Sequence, residues 1–172
     1  MSSGASAEAI VHPDGHLVFR AQTLRCALGR AGVVAASRKH EGDGATPCGP
    51  LPLRRVFYRA DRGRIPATAL PRVPIAPDDG WCDAPADPLY NRLVRRPFAA
   101  SHEALWRDDT LYDIVAELGW NDAPVAPGRG SAIFLHLARP DYGPTEGCIA
   151  LSRPDLLAIL SAGLTALVVL PS

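Results

Sequence analysis

The sequence predicts a mostly β fold, on three observations. Seventeen prolines and fifteen glycines in 172 residues turn the chain too often for long helices. The apolar stretches are short, β-prone runs, clearest at residues 132–138 and 165–170. A single stretch, beginning at Ser152, carries the start and stop signals of a helix.

Taken in order, residues 8–11 and 16–22 flank Pro13-Asp14-Gly15 and predict a hairpin with a Pro-Asp-Gly turn. Residues 25–28 extend its second strand, and 32–36 form a short β-prone run. Residues 39–49 read as a polar, Gly-rich loop, and 51–58 as a strand entering the core. Four prolines between 65 and 77 exclude a helix interior or a central strand, so this segment is expected to run extended over the surface. Residues 81–96 are expected to continue as irregular structure with a turn at Asp87-Pro88, bordering a cleft. Residues 111–119 suit strand or helix; Tyr112, Ile114 and Val115 favour strand. Residues 132–138 read as a buried strand and 148–151 as a short one. Ser152 then suits an N-cap, Pro154 and Asp155 a first helical turn, and Leu156, Leu157, Ile159 and Leu160 an apolar face. Gly163 stops the helix, and 165–170 form the last strand.

The length suits one domain, 1–172, with a real core. Hydrophobic residues make up 47% and charged residues 21%, and the formal net charge is zero. There is thus no electrostatic case for nucleic acid or an anionic membrane as partner. No basic, then apolar, leader is visible at the start, and no apolar run is long enough to span a membrane. The expectation is a cytoplasmic monomer, or a periplasmic protein if a leader has been removed. Cys26, Cys48, Cys82 and Cys148 include no C-x-x-C pair. They are expected to be free thiols, with Cys26 a small core residue and no metal or cofactor bound.

The chemistry concentrates in residues 130–151, GSAIFLHLARPDYGPTEGCIAL. An apolar run leads to His136, a Pro- and Gly-rich loop follows, and Gly147-Cys148 opens a second apolar run. A thiol and an imidazole at the ends of two strands are the parts of a cysteine acyl-transfer site. The thiol is the nucleophile, and the imidazole takes its proton and returns it to the leaving amine. Gly147 lets the backbone turn tightly and bring amide N–H groups near a substrate carbonyl.

These residues resemble the YkuD family, the catalytic domain of L,D-transpeptidases. That family carries a His at a strand end, a loop, and a Ser/Thr-His-Gly-Cys box. Here Thr145, Gly147 and Cys148 match the box, with His136 upstream. A second likeness lies in residues 42–53, where Thr46-Pro47-Cys48-Gly49 is similar to the family's Thr-Pro-x-Gly segment. Glu146 replaces the box's second His, Ala150 stands where Arg or Asn often follows, and His136 and Cys148 are only twelve positions apart, so the loop is trimmed.

The resemblance implies a β-sandwich or partly open barrel with a C-terminal helix packed on the sheet. It also implies peptidoglycan stem peptides or muropeptides as partners, Cys148 as nucleophile and His136 as base. Trimming of a terminal D-alanine, an L,D-carboxypeptidase activity, is the expected outcome. The alternatives are 3→3 cross-linking and a module that binds stem peptides without turning them over. Around this pair, Glu146 is a candidate for a substrate ammonium, Arg129 and Arg139 for a substrate carboxylate, and Thr145 and Tyr112 for the cleft edge. Ser101-His102-Glu103 is a poor serine triad, because adjacent residues rarely point together.

Overall fold

The Pro13-Asp14-Gly15 turn does what its residues dictate. Gly15 takes a φ of +90° and folds β1 (Glu8–His12) back on β2 (His16–Phe19), with His12 opposite His16. A second reversal brings in β3 (Gln22–Arg25). A computed structural model describes residues 7–172 of the chain. Beyond β3 come β4 (Val33–Val34), β5 (Thr46–Pro47) and the long β6 (Gly49–Tyr58). These are followed by β7 (Arg72–Pro74), β8 (Asp79–Cys82), β9 (Leu93–Arg95) and β10 (His102–Ala104). The chain ends with β11 (Ile114–Leu118), β12 (Phe134–Leu137), β13 (Ile149–Leu151), helix α1 (Arg153–Ser161) and β14 (Ala166–Val169).

The main sheet runs in the order β13-β12-β11-β6-β14-β1-β2-β3, with β7 added beside β6. Single bridges, Ala27 to Ala150 and Gly29 to Thr145, tie the chain after β3 back to the segment around β13. The sheet therefore curls into a nearly closed barrel, as expected of the family resembled. Its interior is apolar: Leu17, Leu51, Leu135, Ile149, Leu151 and Leu167 are fully buried there. α1 closes it with Leu156, Ile159 and Leu160. The helix starts where expected, with the Asp155 N–H donating to Ser152 Oγ at 3.2 Å, and it stops at Gly163, φ +93°.

Strand alternation divides β12 between two cores. Leu135 and Leu137 face the barrel interior, whereas Phe134 and His136 face the other side. That outer face is covered by a second sheet, β10-β8-β9. Trp81 of β8 meets Phe134 edge-on at 5.1 Å and Phe57 at 6.4 Å between ring centroids. This sheet corrects the expectation of irregular structure over 81–96. Its strands are three or four residues long and pair across distant turns, Trp81 with Leu93 and with Glu103. Such pieces are too short to show a period, and tertiary burial of Trp81, Cys82 and Val94 holds them. The proline-rich stretch does run at an edge, with only β7 pairing to β6. Residues 114–118 form strand, as favoured, and the four cysteines are free.

Replacing Ser152 by Ala removes the cap of the only α-helix among the described residues. It should cost about 1 kcal/mol and lower the melting temperature by roughly 2–4 °C in a thermal unfolding experiment.

Candidate active site

The site is built by the parallel pair β12 and β13. Leu135 lies opposite Ile149 and His136 opposite Ala150. Since side chains alternate, His136 and Ala150 share a face, and Cys148, one step before β13, returns to that same face beside Phe134. The Phe134 N–H points at Cys148 Sγ, 3.4 Å away, and the thiol donates to the Ala132 carbonyl at 3.2 Å.

The loop before Cys148 is clamped by one hydroxyl. Thr145 Oγ1 donates to the Cys148 carbonyl at 2.6 Å and accepts the Gly147 N–H at 3.1 Å. Gly147 has a φ of +134°, and a Cβ there would stand 2.8 Å from the Ala45 carbonyl oxygen. Only glycine fits, and the reason lies in the other stretch that the sequence singled out. Ala45 packs directly against Gly147, and the neighbouring Thr46 hydroxyl accepts the Gly29 N–H at 2.9 Å.

His136 Nδ1 lies 2.9 Å from the Leu137 carbonyl oxygen. A carbonyl only accepts, so Nδ1 carries the proton and Nε2 is left with a free lone pair. The ring also meets Tyr112 edge-to-face, at 5.1 Å between centroids. Burial pushes the imidazole down to about 4, with Arg107 and Arg139 adding to the fall and the Leu137 carbonyl opposing it. Burial likewise pushes the Cys148 thiol up to about 12; the Glu103 carboxylate adds to this, against the Phe134 N–H and Lys39. The resting pair is therefore neutral thiol and neutral imidazole.

Both groups line one cavity of about 510 Å³, and Cys148 keeps 7% of its surface exposed. Of the predicted residues, Thr145, Glu146, Tyr112 and Arg139 line the same cavity, and Gly147 lies beneath it. Glu146 pairs with Arg30 at 2.9 Å, both side chains being largely exposed, a pair that adds little to stability. Arg139 makes one long hydrogen bond, 3.4 Å to the Pro144 carbonyl. Arg129 is not brought to the cavity. Its guanidinium donates to the carbonyls of Ser37 at 3.0 Å and Ala36 at 2.6 Å.

Sequence reasoning missed part of the lining: Lys39, Glu41, Asp83, Glu103, Arg107 and Ser131. Lys39 is buried against Asp43 at 2.6 Å. Glu41 accepts from the hydroxyls of Tyr90 and Ser131. Glu103 accepts from the Tyr112 hydroxyl. The alternation that rules out Ser101-His102-Glu103 as a triad is also what presents Glu103 alone to the cavity, while His102 turns to the Ala100 carbonyl. Only that parity argument, applied to a strand too short to recognise, could have found it.

Gly147→Ala should cost at least about 1–3 kcal/mol for the backbone conformation alone. It should also displace the thiol, giving a lower urea midpoint together with slower alkylation of Cys148. In the native protein, iodoacetamide should label Cys148 slowly at pH 7. The rate should climb with hydroxide through pH 9.5 without a plateau, as peptide mapping by mass spectrometry can follow. A plateau below pH 8 would mean a preformed thiolate–imidazolium pair.

Comparison with family models matches the chain to YkuD, L,D-transpeptidase catalytic domain, over residues 6–168. Neither the curated proteins nor the solved structures yield a match.

Proposed function

The chain belongs to the YkuD family of L,D-transpeptidase catalytic domains, and from that premise we propose that it is a cysteine acyl-transfer enzyme of peptidoglycan stem peptides that hydrolyses, removing a terminal D-alanine. The family supports L,D-transpeptidase-type catalysis on peptidoglycan. The observation that carries the assignment to these residues is the convergence of Cys148 and His136 on one face of β12–β13 and in one cavity.

In this reading His136 Nε2 takes the thiol proton as Sγ bonds to the carbonyl carbon of the L-centre. The Gly147 N–H is held by Thr145, which leaves the Cys148 N–H as the backbone donor for the oxyanion. The imidazolium then protonates the amine of D-alanine, the C–N bond breaks, and a thioester remains. Water attacks the thioester, gives its proton to Nε2, and the C–S bond breaks to restore the thiol. A neutral pair suits this sequence, because the proton moves only as the new bond forms and no charge waits in a dry site.

The charge layout supports an orientation. Arg107 and Arg139 act on His136, with Asp109 opposing them, and Glu103 acts on Cys148, with Lys39 opposing it. Arg107 is engaged by Asp109, which leaves Arg139 for the free carboxylate of the terminal residue, with that residue's amine over His136. Both outcomes share this first half. Hydrolysis is favoured by the cavity size, about 510 Å³, which suits one stem-peptide terminus more than two. Soluble muropeptides in the cytoplasm are then the natural substrates of the proposal.

The test is a tetrapeptide stem incubated with the protein and scored by mass. The expected product is the tripeptide acid plus free alanine, with no dimer. Cys148→Ala should abolish it, and His136→Ala should slow it roughly 10²–10⁴-fold. A dimer lacking one alanine would assign cross-linking instead, and binding with no product would assign a recognition module.

A further inference from the structure

We infer that Asn91 is a positioning residue for the nucleophile: it fixes Ala132 in the backbone conformation that brings a carbonyl and an N–H to Cys148 Sγ. The inference rests on the acyl-transfer reading above and deepens it, by naming what holds the sulfur besides Thr145 and Gly147.

Asn91 lies between β8 and β9 and is buried. Its φ of +57° is left-handed, a region that asparagine tolerates better than most residues with a side chain. The side-chain amide uses its full capacity of four hydrogen bonds. Nδ2 donates to the carbonyls of Trp120 at 3.0 Å and Asn121 at 2.9 Å. Oδ1 accepts the Trp81 indole N–H at 2.9 Å and the Ala132 backbone N–H at 3.1 Å. Two carbonyls on one side and two donors on the other leave the amide a single orientation. Asn91 is not among the residues that line the cavity, so its effect on the reaction passes through Ala132.

Ala132 needs holding. Its φ is +52°, a conformation that its Cβ disfavours. Two further bonds act on the same segment. The Gly130 N–H donates to the Tyr90 hydroxyl at 3.0 Å, and the Gly130 carbonyl accepts from Asn121 Nδ2 at 3.0 Å. In this conformation the Ala132 carbonyl accepts the Cys148 thiol at 3.2 Å, and the N–H two residues on, that of Phe134, points at the same sulfur at 3.4 Å. In a parallel ladder such a pair of groups meets the backbone of the neighbouring strand; just before β13 the thiol takes that place. The sulfur is thus held by an acceptor and a donor at once, and its place relative to His136 is set by backbone rather than by the thiol's own rotation. Without the Asn91 acceptor, the Ala132 N–H loses its partner and the residue relaxes out of the left-handed region. That turns its carbonyl away from the thiol.

The experiment pairs a spectroscopic readout with turnover of the tetrapeptide stem. The S–H stretching band of Cys148 is isolated in the infrared as the difference between each protein and its Cys148→Ala counterpart; a hydrogen-bonded thiol absorbs at lower frequency than a free one. Asn91→Gly keeps the left-handed backbone and removes the amide. It should move the band to higher frequency and lower kcat by roughly 10–100-fold, with KM changed less than about threefold. Asn91→Asp keeps Oδ1 for Ala132 and gives up the two Nδ2 bonds. It should leave the band in place and kcat within about threefold of the wild type, while lowering the melting temperature. This variant carries the comparison if N91G fails to fold. Ser152→Ala, which loses stability elsewhere, should change neither readout. An unmoved band or an unchanged kcat in folded N91G, or a displaced band in folded N91D, would overturn the role of Asn91 and leave the acyl-transfer reading standing. No turnover by the wild-type protein would overturn the acyl-transfer reading, and the band alone would then decide whether Asn91 places the sulfur.

Discussion

The pairing register of β12 with β13 is the constraint on which the rest of the molecule depends. It places Leu135 across from Ile149 and His136 across from Ala150. In a structure with a side-chain period of two, a slip of one residue exchanges the faces. Cys148 would enter the barrel interior and Ile149 would enter the polar cavity. The leucines and isoleucine that hold the barrel core thus also decide which way the reactive groups look. The hydroxyl of Thr145 and the missing side chain of Gly147 then set the thiol's height above the sheet.

Burial at this register has an electrostatic consequence. The same desolvation that raises the thiol lowers the imidazole, so the uncharged pair is the ground state and charge is confined to the moments of reaction. For folding, the lowered imidazole acts in one direction. An unfolded His136 binds a proton near pH 6.5, the folded one near pH 4. Stability is therefore unaffected above that window and falls as the pH drops through it. Tyr112 links the two halves of the site, its ring lying against His136 and its hydroxyl on Glu103.

Much of this was legible in the residues. The Pro-Asp-Gly turn, the capped helix after Ser152 and the two strands flanking the loop announced themselves through local chemistry. The pairing of His136 with Cys148 was expected from two short apolar runs together with the likeness to the YkuD box, and the likeness of residues 42–53 marked a segment whose packing on Gly147 only the coordinates explain. What stayed hidden depended on partners far along the chain. β8, β9 and β10 have no period to read, so the sheet that roofs the cavity and supplies Glu103 was invisible. Arg129 looked like a ligand-binding arginine because a sequence does not tell which carbonyls will capture a guanidinium.

The order of strands also bears on how the protein is made. β14, which follows every other described strand in the chain, lies between β6 and β1 and pairs with both. Until it emerges, the strands β1 to β3 are joined to the rest of the sheet only through the bridges at Ala27 and Gly29, and the barrel cannot close. Cys148 is translated only about twenty residues earlier. The cavity's thiol and the strand that closes the barrel are thus delivered together, and a nascent chain that stops before β14 has no sealed core beneath that thiol.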